Sequence, residues 1–395
     1  MSPDKPKLLW HSNAPWAPTG YGQQTALFGQ QLAEDYDLAI SAYYGLEGNV
    51  LPWNGIPVFP GIGQTYGDRT IIDHATVHFR KDLRDGLVVT LMDVWPLDVQ
   101  TWQNLNVASW VPVDHDPCPR PVAEFFHGTG AVPIAMSEFG QQTLRDSGLD
   151  ALYVPHAVDT EVYKPYDKLE SRKSTGMPED AFLVGMVAAN KGNPSRKCFA
   201  EAIQGFKLLH ERHPEARLYI HTELTGVFDG VHLPELIRDC DLDLNLVIFP
   251  DQYRIIHYPF EPERMAQIYS SFDVLLSPSA GEGFGIPVIE AQACGVPVIV
   301  SDFSAQPELC GSGWLVSGHR HYTPIRSWQF HPDVADIYDA LRQAYESTET
   351  HRKKARAHAL QSDAKKVYAE HMLPALKQAR ERFEDRKPVE LKVAA

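Results

Sequence analysis

Two carboxylates, Glu282 and Glu290, bracket a glycine-rich stretch in the segment SAGEGFGIPVIEAQACGVPVIV, residues 279–300. Gly281, Gly283 and Gly285 let a backbone come close to a ligand, and the unpaired N–H groups where a helix begins hold negative charge. Pro287 suits the first turn of such a helix. A carboxylate beside an anion site needs a reason, and the hydroxyls of a sugar or a ribose supply one. The chemistry these residue types fit is therefore the holding of a phosphorylated, polyhydroxylated ligand. As a bare pattern, the same residues also describe a packed turn with two solvated carboxylates.

The elements that must position this loop can be read on either side of it. The apolar run 272–278 predicts a buried strand, Gly295 a helix C-cap, and 296–300 a second strand. Strand, glycine-rich loop, helix and strand make a right-handed crossover between parallel strands. The pattern recurs upstream. Residues 7–12 predict a first strand, Thr19-Gly20-Tyr21-Gly22 lies just before a helix over 23–34, and 38–44 predicts the next strand. Strands are also expected over 87–91, 107–113, 132–137, 181–190, 216–222 and 246–250, and helices over 70–79, 138–147, 199–212, 233–240 and 263–272. Toward the C-terminus, helices are expected over 333–347 and 350–382, the second kinked near Pro374, with residues 383–395 as a frayed tail.

With 395 residues, 44% of them hydrophobic and 22% charged, the chain has the composition of a soluble protein with room for two cores. The formal net charge of −15 argues against a broad nucleic-acid footprint. No apolar stretch reaches the length of a membrane span, and the first residues lead into a strand without a signal-peptide core. Five scattered cysteines with no Cys-x-x-Cys pair fit a reducing compartment, and the expected location is cytoplasmic. Asp114-x-Asp116 is too short a match to support a metal site.

Glu282-x7-Glu290 enclosing Gly283-Phe284-Gly285-Ile286-Pro287 resembles the signature of retaining glycosyltransferases of the family 4 type, the glycosyl transferases group 1. The resemblance implies an α/β chain of GT-B fold, two Rossmann-like parallel domains facing an interdomain cleft. It implies transfer of a sugar from a nucleotide-sugar donor, a UDP- or GDP-sugar, to an acceptor hydroxyl with retained configuration and without a metal or other cofactor. Glu282 would lie by the donor sugar, Glu290 would bind the ribose, and the amides of Gly283, Phe284 and Gly285 would hold phosphate or sugar. Gly20 and Gly22 would help to position donor phosphate, and His115 would stand near the donor sugar.

The family places an Arg and a Lys after the first strand of its second domain, where cations stabilise a departing diphosphate. This chain departs from that pattern, with Met186 in the Arg position and Cys198 for a Gly. Arg196 and Lys197, near a helix start, are the favoured pair, and Lys191 is the substitute. His221 and Thr222, at a strand end, are further nucleotide neighbours. His156-Ala157 replaces the usual Asn-Gly before the linker. The implied domains are 1–165 for the acceptor, 166–370 for the donor, and 371–395 returning to the first, with 164–180 as the boundary. Trp16, Tyr21, Trp95 and Trp110 hint at a surface for sugar or ring stacking, though a place in the core is the favoured reading. Two other readings fit the same residues: a sugar-nucleotide epimerase or hydrolase, and a non-catalytic nucleotide- or partner-binding protein. The acceptor and the oligomeric state are not legible.

Overall fold

Apolar runs with no polar alternation, such as Leu87–Leu91, belong to strands covered on both faces by helices. In the computed structural model of the protein they build two parallel sheets. The structure describes residues 5–387 apart from 64, 81, 193 and 259, with Thr65 described by its backbone alone. Contacts divide the chain into two units, one comprising 1–157, 324–327 and 364–395, the other 158–323 and 328–363.

The first unit holds strands β1 (Lys7–Asn13), β2 (Asp37–Tyr44), β3 (Leu51–Trp53), β4 (Ile56–Phe59), β5 (Gly86–Leu91), β6 (Val107–Val111), β7 (Val132–Ala135) and β8 (Leu152–Tyr153). Their order is β3-β4-β2-β1-β5-β6-β7-β8, and the pairs are parallel except β3 with β4. The β3–β4 hairpin was not expected from the sequence, which offered only a run near Val58. Its signal is Asn54-Gly55, both with positive φ (48° and 84°), the geometry a two-residue hairpin turn demands. Pro52 keeps β3 on the sheet edge, where a missing N–H does no harm.

Gly20 and Gly22 lie in the first turn of the helix Gly20–Asp35 and not, as expected, in a loop before it. Thr19 is the N-cap, and its hydroxyl accepts from the Gly22 amide at 3.0 Å. A Cβ on Gly22 would stand 2.3 Å from the Ala17 carbonyl oxygen, so close packing of the turn requires the glycine. Trp110 is buried in the core and donates to the Val154 carbonyl, whereas Trp95 and Trp16 are exposed.

A buried polar chain crosses β1 and β2. His11 Nε2 meets the Tyr66 carbonyl at 3.0 Å, so that nitrogen carries the proton, and His11 Nδ1 accepts from Ser41 Oγ at 2.9 Å. Ser41 Oγ then accepts from His74 Nδ1 at 2.8 Å. Burial pushes both imidazoles down from the usual 6.5 to about 4. Below pH 6.5 the unfolded chain takes up protons that the folded unit refuses, so stability falls as pH drops toward 4. His74 alone should contribute a loss of about 2 kcal/mol at about pH 5. His74→Gln is expected to flatten the curve of Tm against pH between about 7 and 5; a slope equal to that of the wild type would remove His74 as a cause.

The second unit holds β9 (Leu183–Val187), β10 (Arg217–His221), β11 (Val247–Ile248), β12 (Val274–Ser277), β13 (Val298–Ser301) and β14 (Gly313–Val316), ordered β11-β10-β9-β12-β13-β14 and all parallel. The chain steps outward from β9 in one direction and from β12 in the other, so the order of the strands reverses between them. Beyond the sheet, β15 (Gly318–Tyr322) and β16 (Trp328–Pro332) form an antiparallel ribbon. β15 (GHRHY) carries no apolar alternation to announce it, and in β16 the alternation of Trp328, Phe330 and Pro332 with Gln329 and His331 is only five residues long. Residues 324–327 at its tip belong to the first unit, where the Ser327 hydroxyl donates to the Pro117 carbonyl.

The unit boundaries fall at 157/158 and 363/364, not at 165/166 and 370/371. Val158 N donates to the Ser362 carbonyl at 2.9 Å and Thr160 Oγ1 to Asp363 at 2.6 Å, which ties 158–163 to the second unit. The polar stretch 164–180 contains a helix, Lys168–Thr175. Its Arg172, 3% exposed, donates to Asp273 at 2.7 Å, and the other Asp273 oxygen accepts from Lys168 at 3.0 Å. The helix Val334–Ala359 runs unbroken through 348–350, because Thr348 is buried and its hydroxyl donates to the Asp273 carbonyl. The break comes at Leu360–Ser362, and Pro374 begins the helix Leu373–Glu381 after a wide turn at Tyr368–Met372.

Residues from 364 onward belong to the first unit: Tyr368 donates to Asp35 at 2.6 Å and stacks on Phe28. Residues 383–387 are not frayed. Phe383 is buried, and Arg386 donates to the carbonyls of Leu105 (3.0 Å) and Thr129 (2.8 Å). Residues 1–4 and 388–395, and with them the rest of the expected tail, lie outside the described residues. Among the described residues, no helix is long and apolar enough to cross a membrane.

Candidate active site

In open parallel sheets, ligands bind beyond the carboxyl ends of the strands where their order reverses. In the second unit that place lies after β9 and β12, whose following loops are 188–198 and 278–285. The two loops are joined directly: the Ala280 amide donates to the Arg196 carbonyl at 2.8 Å. β12, the helix Ile286–Ala293 and β13 form the expected parallel crossover. Gly285 caps that helix with φ 116°, a conformation closed to residues with a side chain. Gly295 follows the helix with φ 77°.

Glu282 is 8% exposed and takes both cations of the preceding turn. Arg196 Nη1 donates to its Oε2 at 3.0 Å and also to the Gly281 carbonyl; Lys197 Nζ donates to its Oε1. Burial alone would raise the Glu282 carboxyl, but Lys197 and Arg196 more than offset it and bring it down to about 2. Two cations and one carboxylate leave a local surplus of positive charge beside a helix start. That arrangement can accept a diphosphate and hold a carboxylate ready for hydroxyl groups.

Glu290, one helix turn deeper, is not solvated. It is buried and accepts from the Tyr269 hydroxyl at 2.7 Å and from that of Tyr163. Burial raises its carboxyl, and the two tyrosine donors partly counter the shift. Neither partner was foreseen, because Tyr163 stood in a turn just ahead of the expected boundary and Tyr269 in an ordinary amphipathic helix.

The structure thus brings together Arg196, Lys197, Glu282, Gly283, Phe284 and Gly285. Lys191 is exposed and Gly283 and Phe284 are buried. The helix after Lys197 starts at Phe199, with Cys198 as a left-handed N-cap at φ 52°, where the family pattern has a glycine. His221 ends β10; its Nδ1 shares a 2.8 Å hydrogen bond with the Tyr219 hydroxyl, and burial lowers its pKa to about 4. Thr222 Oγ1 accepts the Asn190 amide at 3.0 Å. Ser304, in the loop after β13, and Gln306, at the start of the short helix Gln306–Leu309, were missed by sequence reasoning. Ser304 Oγ accepts the Glu282 amide at 2.9 Å, and Gln306 Nε2 donates to the Ser279 carbonyl at 3.0 Å.

In the first unit, His115 follows β6 and its Nδ1 pairs with Asp114 Oδ1 at 2.6 Å. His156 Nδ1 lies 3.1 Å from the Gln24 side-chain oxygen, and the Ala157 N–H and C=O both bond the Gln24 amide, at 3.0 and 2.8 Å. The His156-Ala157 pair therefore locks the end of this unit's sheet onto the helix Gly20–Asp35. Among the described residues, no three His, Cys, Asp or Glu side chains are placed to hold a metal ion.

Residues 182–346 match the family described as Glycosyl transferases group 1. D-inositol 3-phosphate glycosyltransferase of Stackebrandtia nassauensis is 29% identical over 42% of this chain and 37% of its own length. The enzyme of that name from Mycobacteroides abscessus is 31% identical over 41% of this chain and 34% of its own. The chain thus spans little more than a third of the length of these relatives. Among solved structures, sucrose-phosphate synthase from Thermosynechococcus elongatus superposes with TM-score 0.72 at 16% identity, covering 95% of this chain and all of that one. Anabaena Alr3699/HepE in complex with UDP-glucose superposes with TM-score 0.68 at 16% identity, over 94% and 99% of the two chains. The fold is GT-B, and within it residues 182–346 are similar to the glycosyl transferases group 1.

Proposed function

We propose that the protein is a glycosyltransferase that moves a sugar from a nucleotide-sugar donor to an acceptor hydroxyl with retained anomeric configuration. The observation that carries this reading is the convergence of Arg196 and Lys197 on Glu282, within the glycine-rich loop at the switch point of the second sheet. A structural neighbour holding UDP-glucose supports a nucleotide-sugar donor.

In this reading Arg196 and Lys197 neutralise the diphosphate as the glycosidic bond breaks, a charge that grows in the transition state. Glu282 orients the donor sugar through its hydroxyls, and the amides from Gly283 to Gly285 cradle phosphate. Glu290, steadied by two tyrosine hydroxyls, addresses the ribose. Lys197 takes the lysine role in preference to Lys191, since Lys197 reaches Glu282. Gly22 drops out as a phosphate donor because Thr19 occupies its amide, while Gly20 keeps its place at the start of that helix. His115 serves the donor sugar, fixed by Asp114. The guanidinium and ammonium supply the positive charge, so no metal enters the proposed reaction, and all five cysteines are free, in keeping with a cytoplasmic enzyme.

The test is a thermal-shift panel of UDP, GDP, ADP and their common sugars on the wild type and on Glu290→Gln, which keeps the volume of a buried side chain. A nucleotide that binds only the folded state raises Tm, by an amount equivalent to about 2.7 kcal/mol at a hundred times Kd. One base should stabilise the wild type and stabilise the variant less, and excess EDTA should leave donor turnover unchanged. No shift with any nucleotide at millimolar concentration would overturn the reading. Donor consumption that no acceptor accelerates would turn it toward an epimerase or hydrolase.

A further inference from the structure

Ser304 has φ 56° and is 7% exposed. An L residue in the left-handed region is strained, and such a residue persists where its surroundings over-determine it. A glycine would take this backbone without cost, so the serine hydroxyl has to be accounted for. The Ser304 Oγ donates to the Phe303 carbonyl at 2.7 Å and accepts the Glu282 amide at 2.9 Å. One residue on, the Ala305 amide reaches the Glu282 carbonyl at 3.4 Å. Both backbone polar groups of Glu282 are thereby held by two consecutive residues of the loop after β13.

We propose that Ser304 is a positioning residue for Glu282: its hydroxyl fixes the Glu282 backbone in the glycine-rich loop, so that the carboxylate meets the donor sugar in one orientation. The role rests on the donor-site reading above. Glu282 stands between glycines at 281 and 283, and nothing in the covalent chain keeps its φ and ψ in place. Arg196 and Lys197 fix its carboxylate, but both are ends of long, flexible side chains. The Ser304 hydroxyl is a short, buried anchor to the backbone itself. It also withholds the Glu282 amide from any ligand, so the Ser304 contact shapes the loop and adds no donor to the phosphate cradle.

The experiment compares Ser304→Gly and Ser304→Ala with the wild type by thermal melting and by calorimetric titration with UDP, GDP and whichever of UDP-glucose, UDP-N-acetylglucosamine and GDP-mannose binds the wild type most tightly. Alanine loses the hydrogen bond and keeps the strained backbone, so its Tm should fall by roughly 4 °C or more. Glycine loses the same bond but relieves the strain, and its Tm should stay within about 2 °C of the wild type. Both variants should lose about tenfold in affinity for the nucleotide sugar, as expected for a displaced orienting group. Both should bind the free nucleoside diphosphate within about twofold of the wild type, because the cation pair is untouched. A glycine variant with wild-type affinity for the nucleotide sugar would overturn the proposal, as would losses that merely follow Tm across the two variants. A wild-type protein that bound none of the five probes would defeat the donor-site reading itself and, with it, this role.

Discussion

Replacing Glu282 with glutamine is expected to tighten the binding of a nucleoside diphosphate about tenfold while slowing sugar transfer about a hundredfold. The two effects share one cause. In the wild type the Glu282 carboxylate lies against Arg196 and Lys197 and cancels part of the field they present to an anion. The amide of glutamine keeps the shape and removes the charge, so the pair turns its full positive charge on the diphosphate. A unit charge a few ångströms away is worth several kcal/mol at an intermediate dielectric; the partial exposure of Arg196 (38%) screens this to roughly 1.4 kcal/mol, one decade of affinity. Under the proposed role of Glu282, transfer should suffer because the sugar would lose the acceptor that orients its hydroxyls, and the tighter product would leave more slowly. Titration of UDP or GDP, run beside initial rates, checks both halves. A variant that bound the diphosphate more weakly would show that the carboxylate does not compete for the cations. The pH dependence has a matching sign. Glu282 sits at about 2 when folded against 4.5 when unfolded, so it adds stability above 4.5 that is lost as pH falls toward 2. The glutamine variant should lack that part of the acid transition.

Asp273→Asn is expected to destabilise the second unit by about 3–5 kcal/mol, a fall in Tm of roughly 10 °C. Asp273 precedes β12 and is 5% exposed. Its carboxylate accepts from the Arg172 guanidinium at 2.7 Å, from the Leu183 amide at 2.7 Å and from Lys168 at 3.0 Å. Arg352 lies 3.7 Å away. Removing the charge leaves the buried Arg172 cation without its counter-ion, and that penalty, more than the worth of the ion pair, sets the size of the loss. Urea denaturation gives the number. The control is Arg172→Met with Asp273→Leu, which removes both charges and should recover much of the loss, as buried pairs exchanged for apolar side chains do. A change below about 1 kcal/mol in the single variant would mean that water reaches this pair after all.

The crossover that carries the site was legible because its signals are local: apolar strands, a glycine with φ 116° before a helix, and Pro287 in its first turn. Phe199–Arg212 was read to the residue, from apolar positions at helical spacing. What failed did so for identifiable reasons. The break expected near Glu349 did not form, since Thr348 spends its hydroxyl on Asp273, 75 residues away in sequence. The polar stretch 164–180 looked like a linker because Arg172, buried against Asp273, reads in isolation as a surface charge. Within the site, Arg196 and Lys197 could be singled out as the cations a diphosphate requires, but their ion pairs with Glu282, some 85 residues away in sequence, could not. Ser304, Tyr163 and Tyr269 could not, as each contributes a single hydroxyl across a gap of 20 or more residues, which no pattern of spacing encodes.

The division of the chain at 157/158 and 363/364 also bears on the order in which a ribosome delivers the parts. The eight-stranded sheet emerges ahead of the six-stranded one, yet the segment that covers Phe28 and bonds Asp35, around Tyr368, emerges after it. The six-stranded sheet and its covering helix Val334–Ala359 are entirely made before that segment appears. Growing from its N-terminus, the chain can therefore finish its later-made unit first, and its earlier-made unit waits, with part of its apolar surface uncovered, for the final turns of helix.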